Sequence, residues 1–208
     1  MTIIDEGKQR LAFDASWQAV KFDDHPQHKL RAVRLQGVVE TGDDGDETVS
    51  TKAVDVVALR GKRLVLIELK DFRLSPGVNK RRWNNPETGL AVEVPAKVRD
   101  SVATLVGALR HADCASLTPM AEALVGKEPP LVVLLLEIGR QVEPEPDAKR
   151  SSRRHKGREP NHRQNLVSAM KRRLKFLGAE VLVLGQDNVS LRLRGLTVTN
   201  LPGATLAP

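Results

Sequence analysis

The stretch TKAVDVVALRGKRLVLIELKDFR, Thr51 to Arg73, decides the fold of this chain. Two apolar runs, Val54–Arg60 and Arg63–Phe72, flank Gly61-Lys62, and glycine in the first place of a two-residue connection suits a type II′ hairpin turn. Setting Arg60 against Arg63 carries Asp55 opposite Glu68. Facing residues point to the same side of a sheet with Cβ atoms about 5 Å apart, and Lys70 shares that side because strand side chains repeat every second residue. Three charged groups therefore converge in an apolar setting.

Two carboxylates that close, flanked by Val54, Val56, Leu66 and Ile67, repel each other where repulsion is poorly screened. A divalent cation reverses the sign, because Mg²⁺ or Mn²⁺ accepts carboxylate oxygens and waters. Asp55 and Glu68 are thus candidate metal ligands and candidate catalytic residues. Lys70, next to a metal-bound water, is placed to orient or deprotonate it, or to offset charge building on a phosphate. A salt-bridged polar face would account for the lysine, but it leaves the facing acids unexplained.

With 208 residues the expected organisation is one domain, 1–208. Hydrophobic residues make up 40% and charged residues 28%, and no apolar run nears the roughly 20 residues of a membrane span. No basic-then-apolar leader opens the chain, and the lone Cys114 cannot form an internal disulfide, so the cytoplasm is the expected location. The net charge of +7 is local: eleven Lys or Arg against one acid, Glu159, lie between Lys149 and Lys175. Such a concentration points to a polyanion, and phosphate backbones are the commonest.

Residues 14–24 read as a short helix ended by Pro26, and Leu30–Glu40 and TVSTKAVDVVAL (48–59) as a hairpin around the turn TGDDGDE. Pro95 suits the first position of a helix over about 95–112, with Val98, Val102, Leu105 and Leu109 as its apolar stripe. PLVVLLLEI, from Pro130, is apolar on both faces, as a central strand requires. Residues 139–160 have almost no apolar content and are expected to form a basic flexible insertion. Over 161–208 we expect a helix capped by Asn161, with Leu166, Met170, Leu174 and Leu177 inward and Gly178 at its end, and then a hairpin of EVLVLG and VSLRLR.

Asp55, twelve residues, and then Glu68-Leu69-Lys70 closing an apolar strand resembles the signature of the PD-(D/E)xK, or restriction endonuclease-like, nucleases. The resemblance implies an α/β fold with an αβββαβ core, here about 14–138, whose mixed central sheet is flanked by helices. It implies that Asp55 and Glu68 bind Mg²⁺, that the Leu69 carbonyl is a further ligand, and that Lys70 assists the attacking water. It also implies an endonuclease that hydrolyses phosphodiester bonds in DNA, in restriction, phage defence or repair. Val54 stands where the name has proline. The chain has no tyrosine, so the Gln-x-x-x-Tyr motif of the exonuclease branch is absent. Many members add an acid from the first helix, for which Asp23 and Asp24 are candidates, and many pair as homodimers to cut two strands. Lys97 and Asp100 are candidates to face the cleft from the following helix.

Asn79–Asn85 combines Lys80, Arg81 and Arg82 with Trp83, a mixture suited to phosphate contact and base stacking. Arg153, Arg154 and Lys156 lie in the basic insertion and suit a backbone clamp that orders on binding. The five histidines show no zinc-ligand spacing. RNA is a further candidate substrate. The alternative of another class is a non-catalytic nucleic-acid-binding or assembly module on the same fold.

Overall fold

The computed structural model describes residues 1–31, 52–73, 87, 89–111, 114–138 and 158–201; side chains at 30, 31 and 158–161 are not described. Five strands build the central sheet: β3 (Trp17–Lys21), β4 (Val56–Arg60), β5 (Arg63–Asp71), β6 (Leu131–Glu137) and β7 (Glu180–Leu184), in the order β3-β4-β5-β6-β7. The first three are antiparallel and the last three parallel, so the sheet is mixed and the fold is α/β. A second sheet has the order β1-β2-β8, formed by β1 (Thr2–Glu6), β2 (Gln9–Phe13) and β8 (Leu196–Asn200). The helices are α1 (Pro26–Arg31), α2 (Leu90–Ala108), α3 (Thr118–Leu124), α4 (Arg158–Arg173) and α5 (Gln186–Arg192), with a 3₁₀ turn at Lys175–Leu177.

The β4–β5 hairpin forms in the expected register, Arg60 against Arg63 and Val56 against Ile67. Gly61 has φ 60°, and no non-glycine among the described residues, Lys62 included, is left-handed, the combination a type II′ turn needs. Pleating then sends alternate residues to two cores. Val57, Leu64, Leu66, Val132, Leu134 and Val181 meet α2, α3 and α4 on one face. Val56, Ala58, Val65, Ile67, Val133 and Leu135 meet the second sheet and α5 on the other. β6 is buried on both faces, as its continuous apolar run demands.

Four expectations need correction. Residues 14–24 form no helix: Trp17–Lys21 is strand β3, and Pro26 opens α1 instead of ending one. The segment obeys period two, with Trp17 and Ala19 in one core and Val20 and Phe22 in the other, and the Trp17 indole N–H donates to the Arg194 carbonyl. The helix expected from Pro95 begins at Leu90, because Gly89, at φ 61°, offers its carbonyl to the N–H groups of Val92 and Glu93. Pro95 lies inside it and Leu109 beyond it; Leu90, Val94, Val98 and Leu105 are the buried apolar stripe. There is no C-terminal hairpin. β7 stands as expected, but Val189–Arg192 belongs to α5, which buries Val189 and leaves Leu191 exposed, and β8 pairs with β2. Because β2 and β8 cover one face of the central sheet, the core extends beyond 14–138 at both ends.

α4 begins at Arg158, within the expected insertion and before Asn161. Leu166 and Met170 are buried on it, Leu174 is buried just past its end, and Gly178 closes the following turn at φ 63°. The rest of the insertion and residues 32–51 of the hairpin expected over 30–59 lie outside the described residues; Leu30 and Arg31 belong to α1 instead of a strand, and β4 takes β3 and β5 as its neighbours.

Candidate metal centre

Asp55 immediately precedes β4, and its backbone carbonyl accepts a hydrogen bond from Phe22 N–H at 2.8 Å, which ties the end of β3 to the start of β4. Its side chain turns to the α2 face of the sheet, and Oδ2 accepts the Leu69 N–H at 2.6 Å. Continuing the hairpin register places Asp55 opposite Glu68 as expected. Glu68 is 0% exposed and Asp55 6%. An ion pair this deep depends on its partners, since desolvation of each charge costs several kcal/mol, on the order of the attraction it recovers.

Lys97, on α2, supplies the main partner. Its ammonium lies 2.6 Å from Glu68 Oε1 and 3.6 Å from Asp55 Oδ1, so one nitrogen touches both acids. Lys70 approaches the same Glu68 Oε1 at 2.9 Å and also holds Glu93 Oε1, on the first turn of α2, at 2.9 Å. Glu68 Oε2 is buried without a hydrogen-bond partner among the described residues. An orphaned carboxylate oxygen in a dry site is a costly arrangement unless a cation is to be met there.

Among the described residues, the acids whose oxygens lie close enough together to share an ion are Asp55 and two from the N-terminal region, and Glu68 is not in that group. Glu6, at the end of β1, and Asp23, just past β3, each bring a carboxylate oxygen within 4.8 Å of one from Asp55. Lys21 lies 3.0 Å from Glu6 Oε2. Burial and then the charge of Glu68 push the Asp55 carboxyl up to about 6, against the pull of Lys97 and the Leu69 N–H. Burial and then Glu6 and Asp55 push Asp23 up to about 6 as well. Burial works against the Lys70 ammonium, but Glu68 and Glu93 outweigh it and hold the group above its ordinary range. Among the described residues, five carboxylates (Glu6, Asp23, Asp55, Glu68, Glu93) face three ammoniums (Lys21, Lys70, Lys97) here. When all are ionised, the excess equals the charge of one divalent cation. These hard oxygen donors suit a metal ion that prefers oxygen ligands, and Glu6, Asp23 and Asp55 together could hold one.

Of the two acids considered from the N-terminal region, Asp23 is in the cluster and Asp24 is not. Asp24 pairs with Lys29 and Lys21, which hold it down at about 2. Of the two α2 candidates, Lys97 faces the site, whereas Asp100 turns to Arg99 at 2.9 Å. Sequence reasoning missed Glu6, for which one turn-flanking acid gave no signal. It also missed Glu93, although Glu93 and Lys97 are four residues apart and share a helix face. Lys80, Arg81, Arg82, Trp83, Arg153, Arg154 and Lys156 lie outside the described residues.

No family model matches the chain, and no solved structure matches it. Among curated proteins it is similar to Cysteine--tRNA ligase from Neisseria meningitidis serogroup A / serotype 4A, 29% identical over 119 residues, or 52% of this chain and 17% of the ligase. The chain thus spans less than a fifth of that protein's length, and a likeness so partial fixes neither family nor activity.

Proposed function

We propose that this protein is a divalent-metal-dependent nuclease that hydrolyses phosphodiester bonds in DNA, with a core like that of the PD-(D/E)xK nucleases. The observation that carries the reading is the meeting of Asp55 and Glu68 on one buried face, bridged by one lysine and flanked by a second. The strand order supports it too: antiparallel β3-β4-β5, with α1 between β3 and β4, then α2 and α3, then β6 parallel to β5, is similar to the βββαβ part of that core. The helix that would precede those strands is replaced here by β1 and β2.

Asp55 and Glu68 would hold the ion, with Asp23, Glu6 and the Leu69 carbonyl as further oxygen donors. A Mg²⁺ bound there supplies a water of lowered pKa and polarises a phosphoryl oxygen. The chain's own groups do the rest. The Leu69 N–H fixes Asp55, so that its carboxylate presents Oδ1 in one orientation. Glu93 holds Lys70 beside Glu68, and both acids keep its ammonium protonated, so Lys70 acts as a positive donor to water or phosphate and not as a base at neutral pH. The buried apolar walls around the acids raise the strength of each such contact.

The test is nicking of supercoiled DNA with Mg²⁺, against the same protein in chelator. Glu68→Gln and Lys70→Ala should each lower the rate by at least about a hundredfold while the melting transition persists. Cleavage retained by both folded variants would reject the assignment. DNA binding that ignores metal and survives Asp55→Ala would instead favour the non-catalytic module, and competition with RNA separates the two nucleic acids.

A further inference from the structure

The two lysines of the site are tethered differently, and the difference has a chemical meaning. Lys70 divides its ammonium between Glu68 and Glu93, each at 2.9 Å, so it keeps one carboxylate whatever happens to the other. Lys97 has no such second anchor among its described contacts. Its ammonium meets Glu68 Oε1 at 2.6 Å and Asp55 Oδ1 at 3.6 Å, and these are the two acids proposed to take the ion. Both lysines are mostly buried, with side chains 13% and 18% exposed for Lys97 and Lys70. A group bridging two oxygens of a cation seat competes with any cation that needs those oxygens, because ammonium and metal cannot share one lone pair.

We propose, resting on the nuclease reading above, that Lys97 is an internal counter-ion that occupies the seat between Asp55 and Glu68 and must swing out before a divalent cation enters. It holds the metal-free fold together by neutralising Glu68, and it sets the cation concentration at which the site loads. Lys97 stands on α2 and not in the sheet, so its side chain can leave without moving a strand. Linkage makes the competition reciprocal: whatever the ammonium gains from the two acids is subtracted from cation binding.

Binding of Mn²⁺ alone, followed by the loss of the free-ion paramagnetic resonance signal, tests this without reference to cleavage. Lys97→Met should bind Mn²⁺ about tenfold or more tighter than the wild-type protein, the size of an ordinary coupling between exclusive partners. Lys97→Arg, which keeps the charge, should stay near wild type. Lys70→Met removes the same charge from beside the same acid but not from between the two ligands, and it should tighten binding by less than Lys97→Met. If the methionine variant does not fold, Lys97→Gln serves in its place. Affinity unchanged or weakened in the folded neutral Lys97 variant, or tightened no more than in Lys70→Met, overturns the counter-ion role. Those outcomes leave the metal site standing provided that Asp55→Asn still abolishes Mn²⁺ binding. Binding that Asp55→Asn and Glu68→Gln do not touch, or no binding by any variant, would instead remove the metal site itself, and the role of Lys97 with it.

Discussion

Asp55→Asn should make the metal-free protein more stable at neutral pH, although it removes a group at the heart of the site. The folded carboxyl titrates at about 6 against an ordinary 3.8, so folding works against its ionisation. Between pH of about 4 and about 6 the folded state holds a proton that the unfolded chain has released, and stability falls as the pH rises through that window. Above it the full cost is present, on the order of 3 kcal/mol at pH 7 for a shift of this size. Asparagine keeps an oxygen for the Leu69 N–H and carries no charge, so the variant should gain about 2–3 kcal/mol at pH 7 and almost nothing at pH 4. Urea unfolding at the two pH values, in chelator, measures both differences. Added Mg²⁺ should narrow the gap by stabilising the wild type alone, by about 1.4 kcal/mol at ten times its dissociation constant. A variant less stable than wild type at pH 7 in chelator, or equally shifted at both pH values, would refute the account of Asp55 as a buried, repelled acid.

Two further outcomes follow from packing and from charge. A Cβ on Gly195, whose φ is 87°, would sit 2.7 Å from the Asp14 carboxyl carbon, and Asp14 is held by its backbone bond to the Gly195 carbonyl and by Ser16; Gly195→Ala should cost at least about 2 kcal/mol in denaturant unfolding. If DNA is the partner, replacing Arg153, Arg154 and Lys156 by alanine should weaken binding across all sequences and reduce the slope of log affinity against log salt by about 2 to 3, as read by fluorescence anisotropy.

How much was legible in the chain varied with how local the determining contacts are. The two-residue turn at Gly61-Lys62 pins a register, and that register alone carried Asp55 to Glu68, so the centre of the site could be found from one hairpin. β6 was legible because a strand covered on both faces has no polar alternation to confuse it. Residues 17–22 were misread because a short apolar segment satisfies helical and strand spacing almost equally, and the partner that decides, β4, lies beyond the intervening segment. The alternation of Val189-Ser190-Leu191-Arg192 misled in the opposite sense: α5 buries Val189, Leu193 is buried just past its end at helical spacing, and Leu191 is left to solvent. Glu6 and Glu93 come from two other elements, so no pattern within the hairpin could assign them to its acids, whereas Lys97 was a candidate from its place on the following helix.

The pairing of β2 with both β1 and β8 has a consequence for the order of assembly. Glu6 sits on β1, β1 is hydrogen-bonded to β2, and the second neighbour of β2 is the last strand of the described chain. During synthesis from the N-terminus, Asp55 and Glu68 can meet as soon as their hairpin closes, but the outer wall that carries Glu6 lacks one flank until residues near 200 have emerged. The corner of the cleft nearest Glu6 is therefore the last to become rigid, and a nascent chain stays incomplete there while its hairpin is already formed.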